Sequence, residues 1–228
     1  MHSQQASRCT GSSLGFQAHN NTLKSRFDQA EKDGELLQAA KEEQAGSGRV
    51  RELLEQGADV DCTDDSGRTP LHWASYDVPH HDRVKLFILA GADVELKDDD
   101  GKTALHLAAC ELGIQWGLIV RSLIKAGADV HSVDKKGRTP LSDANYDERT
   151  IALLIDAGAN VDHVDNDGKT PLHHCFSHVS TELLLDAGAD INARDNRGLT
   201  PLGKCLDDRH LLYDLEKIEL LEERGARL

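Results

Sequence analysis

The chain has 228 residues, enough to bury a sizeable core as one domain or two. Its formal net charge of −14 disfavours nonspecific binding to nucleic acid or to anionic membranes. No apolar run approaches the roughly 20 residues needed to span a bilayer, and the polar stretch Met1 to Leu14 lacks the apolar core of a secretory signal. The cysteines are Cys9, Cys62, Cys110, Cys175 and Cys205. They are odd in number and widely spaced, without a CxxC pair. This suits a reducing cytosolic or nuclear compartment and gives no zinc signature.

Along the chain, residues 1–33 carry no pattern and are expected to form a flexible N-terminal tail, helical near Leu23 to Gln29. From residue 34 onward two signals recur in step. The first is Gly-x-Thr at Gly67, Gly101, Gly137, Gly168 and Gly198, followed in four copies out of five by Pro-Leu and in the other by Ala104-Leu105. Its threonines are 34, 36, 31 and 30 residues apart. The second is Gly-Ala, starting at Gly57, Gly91, Gly127, Gly158, Gly188 and Gly225. Periods of this size are the mark of stacked repeats.

Each letter has a local reason. Asp64, Asp98, Asp134, Asp165 and Asp195 stand three residues before the first glycine, and Asp first with Gly fourth is a type I turn signature. The threonine then caps a helix, and proline at the first helical position loses nothing by lacking an N–H. The second glycine closes another helix in the left-handed conformation. Before it, apolar residues run at helical spacing: Val84, Phe87 and Ile88; Val120, Leu123 and Ile124; Ile151, Leu154 and Ile155; Leu183 and Leu184. The unit is turn, helix, helix, turn.

The tripeptide Gly-Lys-Thr, at Gly101 and at Gly168, also ends the phosphate-cradling loop of nucleotide enzymes. That loop needs another glycine five residues earlier, where this chain has Leu96 and His163. A calcium loop fails as well, for want of acids at those positions and of glutamate at Leu107 and His174. The lysine is a turn residue.

Thr-Pro-Leu-His together with Gly-Ala-Asp resembles the ankyrin-repeat family over residues 34–228. The resemblance implies an all-α solenoid of helix-turn-helix units joined by β-hairpin-like turns. Six repeats are expected, at about 34–66, 67–100, 101–136, 137–167, 168–197 and 198–228. Only the second half of the first is recognisable. The last carries a longer final helix, with Leu211, Leu215, Ile218 and Leu221 on one side. The resemblance gives His72, His106 and His173 a hydrogen bond to backbone around the neighbouring turn; Ser142 and Gly203 depart from it.

The recurring Ser, His and Asp residues serve turns and caps and assemble no catalytic set, so no enzyme is expected. His174 and His178 share a helix face, but spacing indicates no third metal ligand. Cys175 and Cys205 fill matching positions, as small packing residues. No cofactor is implied.

Function should lie in residues that the repeat does not require. In the family, the residue after Thr-Pro-Leu-His lies on the concave face. Here that stripe reads Trp73, Leu107, Asp143, His174 and Lys204. Tyr76, Cys110 and Tyr146 follow three residues further on. Repeat three is the longest and alone among the first four is basic, with five Lys/Arg against three Asp/Glu over 101–136. The expected partner-binding set is therefore Trp73, Tyr76, Leu107, Cys110 and Tyr146, rimmed by Asp65, Asp99, Asp100, Lys102, Lys135, Lys136 and Arg138. Aromatic residues supply most hot-spot energy at interfaces. The resemblance implies a monomeric module that binds a partner protein through its concave face and turn tips, with no nucleic acid and no membrane. The alternatives are a regulatory adaptor or inhibitor that recruits a partner to an enzyme, and a secreted bacterial or viral effector. Leu184 to Asn192 also resembles sites of the asparaginyl hydroxylase that modifies such repeats, with Asn192 as the target.

Overall fold

The computed structural model describes residues 11–42, 46–76, 81–111, 113–144, 147–207 and 215–228; the side chains of residues 11–24 and of residue 114 are also outside this description. Twelve helices are present among the described residues, and no strands. They come in pairs: α1 (Gly11–Lys41) and α2 (Ser47–Glu55), α3 (Pro70–Ala74) and α4 (His81–Leu89), α5 (Ala104–Ala109) and α6 (Ile114–Lys125), α7 (Pro140–Asp143) and α8 (Glu148–Asp156), α9 (Pro171–His174) and α10 (His178–Asp186), α11 (Pro201–Asp207) and α12 (Leu215–Glu223). Odd-numbered helices pack in sequence as an inner layer, and even-numbered helices as an outer one.

Two register positions build the core. Counting back four residues from each Gly-Ala glycine gives Leu53, Phe87, Leu123, Leu154, Leu184 and Leu221, all of them fully buried. Two residues after each capping threonine stand Leu71, Leu105, Leu141, Leu172 and Leu202, none more than 3% exposed. Burying such a side chain is worth about 1.5–3 kcal/mol. Each is covered partly by its neighbours, so the repeats are stable only as a stack.

The turns behave as their residue order requires. Asp98 Oδ1 accepts the N–H groups of Asp100 and Lys102, both at 2.9 Å, and Asp64, Asp134, Asp165 and Asp195 do the same in their own turns. Backbone bonds then tie each tip to the next: Asp99 N–H to Ser66 O, Lys135 to Asp100, Asn166 to Lys136 and Asn196 to Asp167, all 2.9–3.0 Å. This ladder of hairpin-like turns explains one glycine in particular. Gly168 has φ of 78°, and a Cβ there would lie 2.6 Å from Asn196 N, so neither its conformation nor its space admits a side chain.

The histidines act as expected. His72 Nδ1 accepts the Thr69 N–H at 3.1 Å, which leaves the proton on Nε2 to be donated to Lys102 O of the next repeat at 3.0 Å. His106 and His173 repeat this with Arg138 O and Leu199 O, each at 3.1 Å. Burial pushes all three below the usual histidine range, so they are held neutral. In repeat four the capping threonine meets a hydroxyl instead, Thr139 Oγ1 to Ser142 Oγ at 3.2 Å.

The N-terminal region departs from expectation. The boundary placed at residues 33 and 34 falls inside α1: the helix expected near Leu23 to Gln29 is present, but it runs from Gly11 to Lys41 and into repeat one. Its end is bonded to repeat one: Gln29 Nε2 to Gly57 O, Lys32 Nζ to Gln56 O, and Asp33 Oδ1 from the Asp59 N–H at 2.8 Å. Leu36 is fully buried against the next repeat. Sequence reading missed this because the first half of repeat one lacks the Thr-Pro-Leu-His signal. Leu211 lies outside the described residues, as do Cys9 and His80.

A second unforeseen feature recurs at the two ends of the stack. Arg83 and Lys217 each stand eight residues before a Gly-Ala glycine, and both are buried. Arg83 donates to Ala39 O at 3.1 Å, and Lys217 donates to Cys175 O. Ala39 and Cys175 are equivalent positions near the inner-helix C-termini of repeats one and five. The same cation-to-carbonyl bond thus closes the first junction and the last, and it favours the negative end of each helix.

Candidate protein-interaction surface

The stripe expected on the inner layer starts at Trp73, in α3. Its ring is half-buried and fixed by its own turn, with Nε1 donating to Asp64 Oδ2 at 2.9 Å. Two cations bracket it: Lys41 Nζ lies 4.4 Å from the ring centroid and Arg68 Cζ 5.0 Å. Tyr76 meets Trp73 edge-to-face at 6.3 Å and also takes Arg68, at 5.2 Å. Burial works against the charge of Asp64, but the Ser66 and Arg68 N–H groups, Lys41 and Trp73 outweigh it and hold the carboxyl below its ordinary range. Trp73 and Tyr76 form a partly exposed platform whose flanking charges are already paired. Lys41 bonds Asp64 at 3.1 Å, and Arg68 Nε lies 3.3 Å from Asp98.

Leu107 is a correction. It is 2% exposed and belongs to the core, because α5 is covered on both sides by α3 and α7. Cys110 is half-buried and donates to Leu107 O at 3.1 Å; burial pushes its thiol up to about 11, so it is no reactive thiolate at neutral pH. Tyr146 lies outside the described residues.

The basic island also divides. Lys135 and Lys136 are exposed at a turn tip, as Asp65, Asp99 and Asp100 are at theirs. Lys102 and Arg138 turn inward instead, onto Asp143 of α7, whose side chain is only 3% exposed. Lys102 Nζ and Arg138 Nη1 each lie 2.9 Å from one of its oxygens, and Arg138 Nη2 bonds Asp134 at 3.1 Å. Asp143 therefore occupies the slot of Trp73, again between one cation of its own repeat and one of the repeat before. In repeat five the slot holds His174, whose Nε2 donates to Asp165 Oδ2 at 2.7 Å. His178, expected on the same helix face, does not share it: α9 ends at His174 and His178 opens α10, where it lies 3.3 Å from Glu216.

The geometry joins recurring Asp-x-x-Gly turns, capping threonines and cross-repeat histidines into one stack of helix pairs. A family model described as ankyrin repeats, in three copies, matches residues 36–118 and 112–195. The chain belongs to the ankyrin-repeat family. None of the curated proteins matches it. Ankyrin repeats are in general protein–protein interaction modules, so the relevant surfaces are those that present anchors rather than reacting groups. No helix among the described residues is long and apolar enough to cross a membrane.

Asn192 is half-buried, and its Oδ1 accepts the Arg227 N–H at 2.8 Å. Equivalent residues of other repeats do the same across their junctions: Asp61 to Asp93, Glu95 to Asp129 and Asp162 to Asp190. Sequence reading took this position only as a modification target; its acceptor chemistry (Asp61, Glu95, Asp162 and Asn192, against His131) was the available signal.

Proposed function

We propose that this chain binds a partner protein across the inner layer and turn tips of repeats two to four. The observation that carries this is the Trp73–Tyr76 pair, a partly exposed edge-to-face platform with its flanking charges already paired. Such a platform offers aromatic area at little cost in ordering, since Trp73 is held by Asp64 before any partner arrives. Exposed Asp65, Asp99, Asp100, Lys135 and Lys136 supply a rim of mixed sign that favours register and encounter rate more than affinity. Lys102 and Arg138 support that rim from beneath, through Asp143. Among the described residues Cys62, Cys110 and Cys175 form no disulfide, which favours a cytosolic or nuclear setting. Asn192 remains the candidate for hydroxylation, a change that would act on the last junction.

The test is affinity capture followed by calorimetry of the purified partner with folded variants. Trp73→Ala is expected to weaken binding by about 2–4 kcal/mol, and reversal of Lys135 and Lys136 to slow association and alter its salt dependence. Full affinity in Trp73→Ala, with loss on changes in repeats five and six instead, would place the interface elsewhere.

A further inference from the structure

The outer layer carries a groove of about 510 Å³ between α6 and α8. It is lined by apolar Gly117, Leu118, Ala152 and Leu153 together with Arg121, Arg149 and Asp156. Three features set it apart from ordinary surface.

First, Gly117 lies inside α6, where glycine costs helix stability. A Cβ there would meet only Leu153 Cδ1, at 3.9 Å, an ordinary contact. Crowding therefore does not demand the glycine, unlike Gly168 at its turn tip. Gly117 is itself buried and lines the groove, and its missing side chain leaves room there beside Leu118, which is 39% exposed. Second, Arg121 and Arg149 are exposed and have no ion-pair partner among the described residues, in a chain whose net charge is −14. Third, Arg149 sits in the first turn of α8, where a cation opposes the helix dipole, so its position is not explained by helix stability.

We propose that this groove is a second docking site, for a partner segment that carries an aliphatic side chain beside one or more carboxylates. The aliphatic group fills the notch over Gly117 and Leu153, and the carboxylates meet Arg121 and Arg149. Asp156, the last residue of α8, sits at the opposite end of that helix from Arg149 and sets direction: the acidic end of the segment lies toward Arg149 and a neutral or basic end toward Asp156. The net charge of the chain repels acidic partners elsewhere, and the two arginines define where one can settle. This site lies on the layer opposite the Trp73 platform and does not depend on it.

The experiment uses the full chain and a panel of short fluorescent peptides. Each combines one leucine or isoleucine with one to three glutamates, alongside versions with lysine for glutamate and alanine for leucine. Fluorescence anisotropy is expected to show saturable binding of the acidic-aliphatic peptides, weakened at least about tenfold in either control peptide. Arg121→Glu combined with Arg149→Glu should weaken it at least about tenfold, as should Gly117→Leu, which fills the notch from the protein side. Both variants are compared at matched folded fraction by circular dichroism, and Trp73→Ala should bind the peptides unchanged. No saturable binding by any acidic-aliphatic peptide, indifference to peptide charge, or binding lost in Trp73→Ala but kept in the double arginine variant would overturn the proposal. The last two outcomes leave the Trp73 reading intact.

Discussion

The inner stripe and the outer groove treat charge in opposite ways. On the stripe three buried acids are answered by cations: Asp98 by Arg68, Asp134 and Asp143 by Arg138, and Asp143 also by Lys102, while Asp165 takes a hydrogen bond from His174, which burial holds neutral. In the groove, Arg121 and Arg149 answer nothing among the described residues. A cation that neutralises a buried carboxylate is worth several kcal/mol to keep, because its removal strands the acid. One that faces water is worth little to stability and is available to a partner.

The largest effect should therefore come from Arg138. Arg138→Ala leaves Asp143 with Lys102 alone and takes the guanidinium from Asp134, for an expected loss of about 3 kcal/mol. Arg121→Ala and Arg149→Ala should each stay within about 0.5 kcal/mol of the parent. Urea unfolding of the three variants measures the contrast directly. Equal losses at Arg138 and Arg121 would mean that the stripe and the groove do not differ in this way.

Within the stripe, Trp73 and Asp143 fill one slot with different chemistry, and each sits between two cations. Trp73→Ala removes a half-buried ring and should cost about 2 kcal/mol of stability besides its effect on binding. Trp73→Phe keeps an aromatic face and loses the Asp64 bond, for about 1 kcal/mol. Thermal melts of the two separate packing from hydrogen bonding. If Phe costs as much as Ala, the Asp64 bond and not the ring is what fixes this slot.

The comparison also shows what the sequence could express. The stack was legible because Asp, Gly, Thr and Pro impose local backbone chemistry at fixed offsets, and five copies leave little room for accident. The aromatic pair was legible for a similar reason, since Trp73 and Tyr76 are three apart on one turn of chain. Burial across repeats was not. Leu107 reads as an exposed stripe residue until α3 and α7 flank it, and Lys102 reads as a turn-tip charge until Asp143, 41 residues later, draws it inward. Arg121 and Arg149 were invisible as a pair because they come from different repeats and match no motif. Helix before residue 34 was read only near Leu23 to Gln29, and its continuation into repeat one was missed, because α1 starts without the capping threonine that marks the other inner helices.

Acid should separate the regions further. His72, His106 and His173 are lowered by burial, so between that depressed range and the ordinary value of about 6.5 the unfolded chain binds more protons than the folded one. Stability is then level above about pH 7 and falls as pH drops through the ordinary histidine range. The slope can reach about 1.4 kcal/mol per pH unit for each histidine that stays neutral in the fold. It flattens only once the folded form also protonates. A second loss follows below the ordinary carboxyl range of about 4, where Asp64 and Asp134, both held low, finally protonate. Denaturant titrations from pH 8 down to about 2 test both steps. A His106→Asn variant should lose part of the first step, whereas Arg121→Ala should leave the whole profile unchanged; a first step that survives in full would assign it to other groups.

The smallest effect has the opposite sign and tests the groove rather than the stripe. Gly117 lies in a helix, and its added Cβ meets one ordinary contact. Gly117→Ala should therefore stabilise the fold by about 0.5–1 kcal/mol, by restricting the unfolded chain and restoring helix propensity. It should also narrow the notch over Leu153 and weaken the acidic-aliphatic peptides a few-fold, well short of the effect of Gly117→Leu. Stability and binding would then move apart in a single variant, as expected when a glycine is kept for an open surface at some cost to the fold. If Gly117→Ala destabilises the chain, the glycine serves packing between α6 and α8, and the groove follows from that packing and is not held open for a ligand.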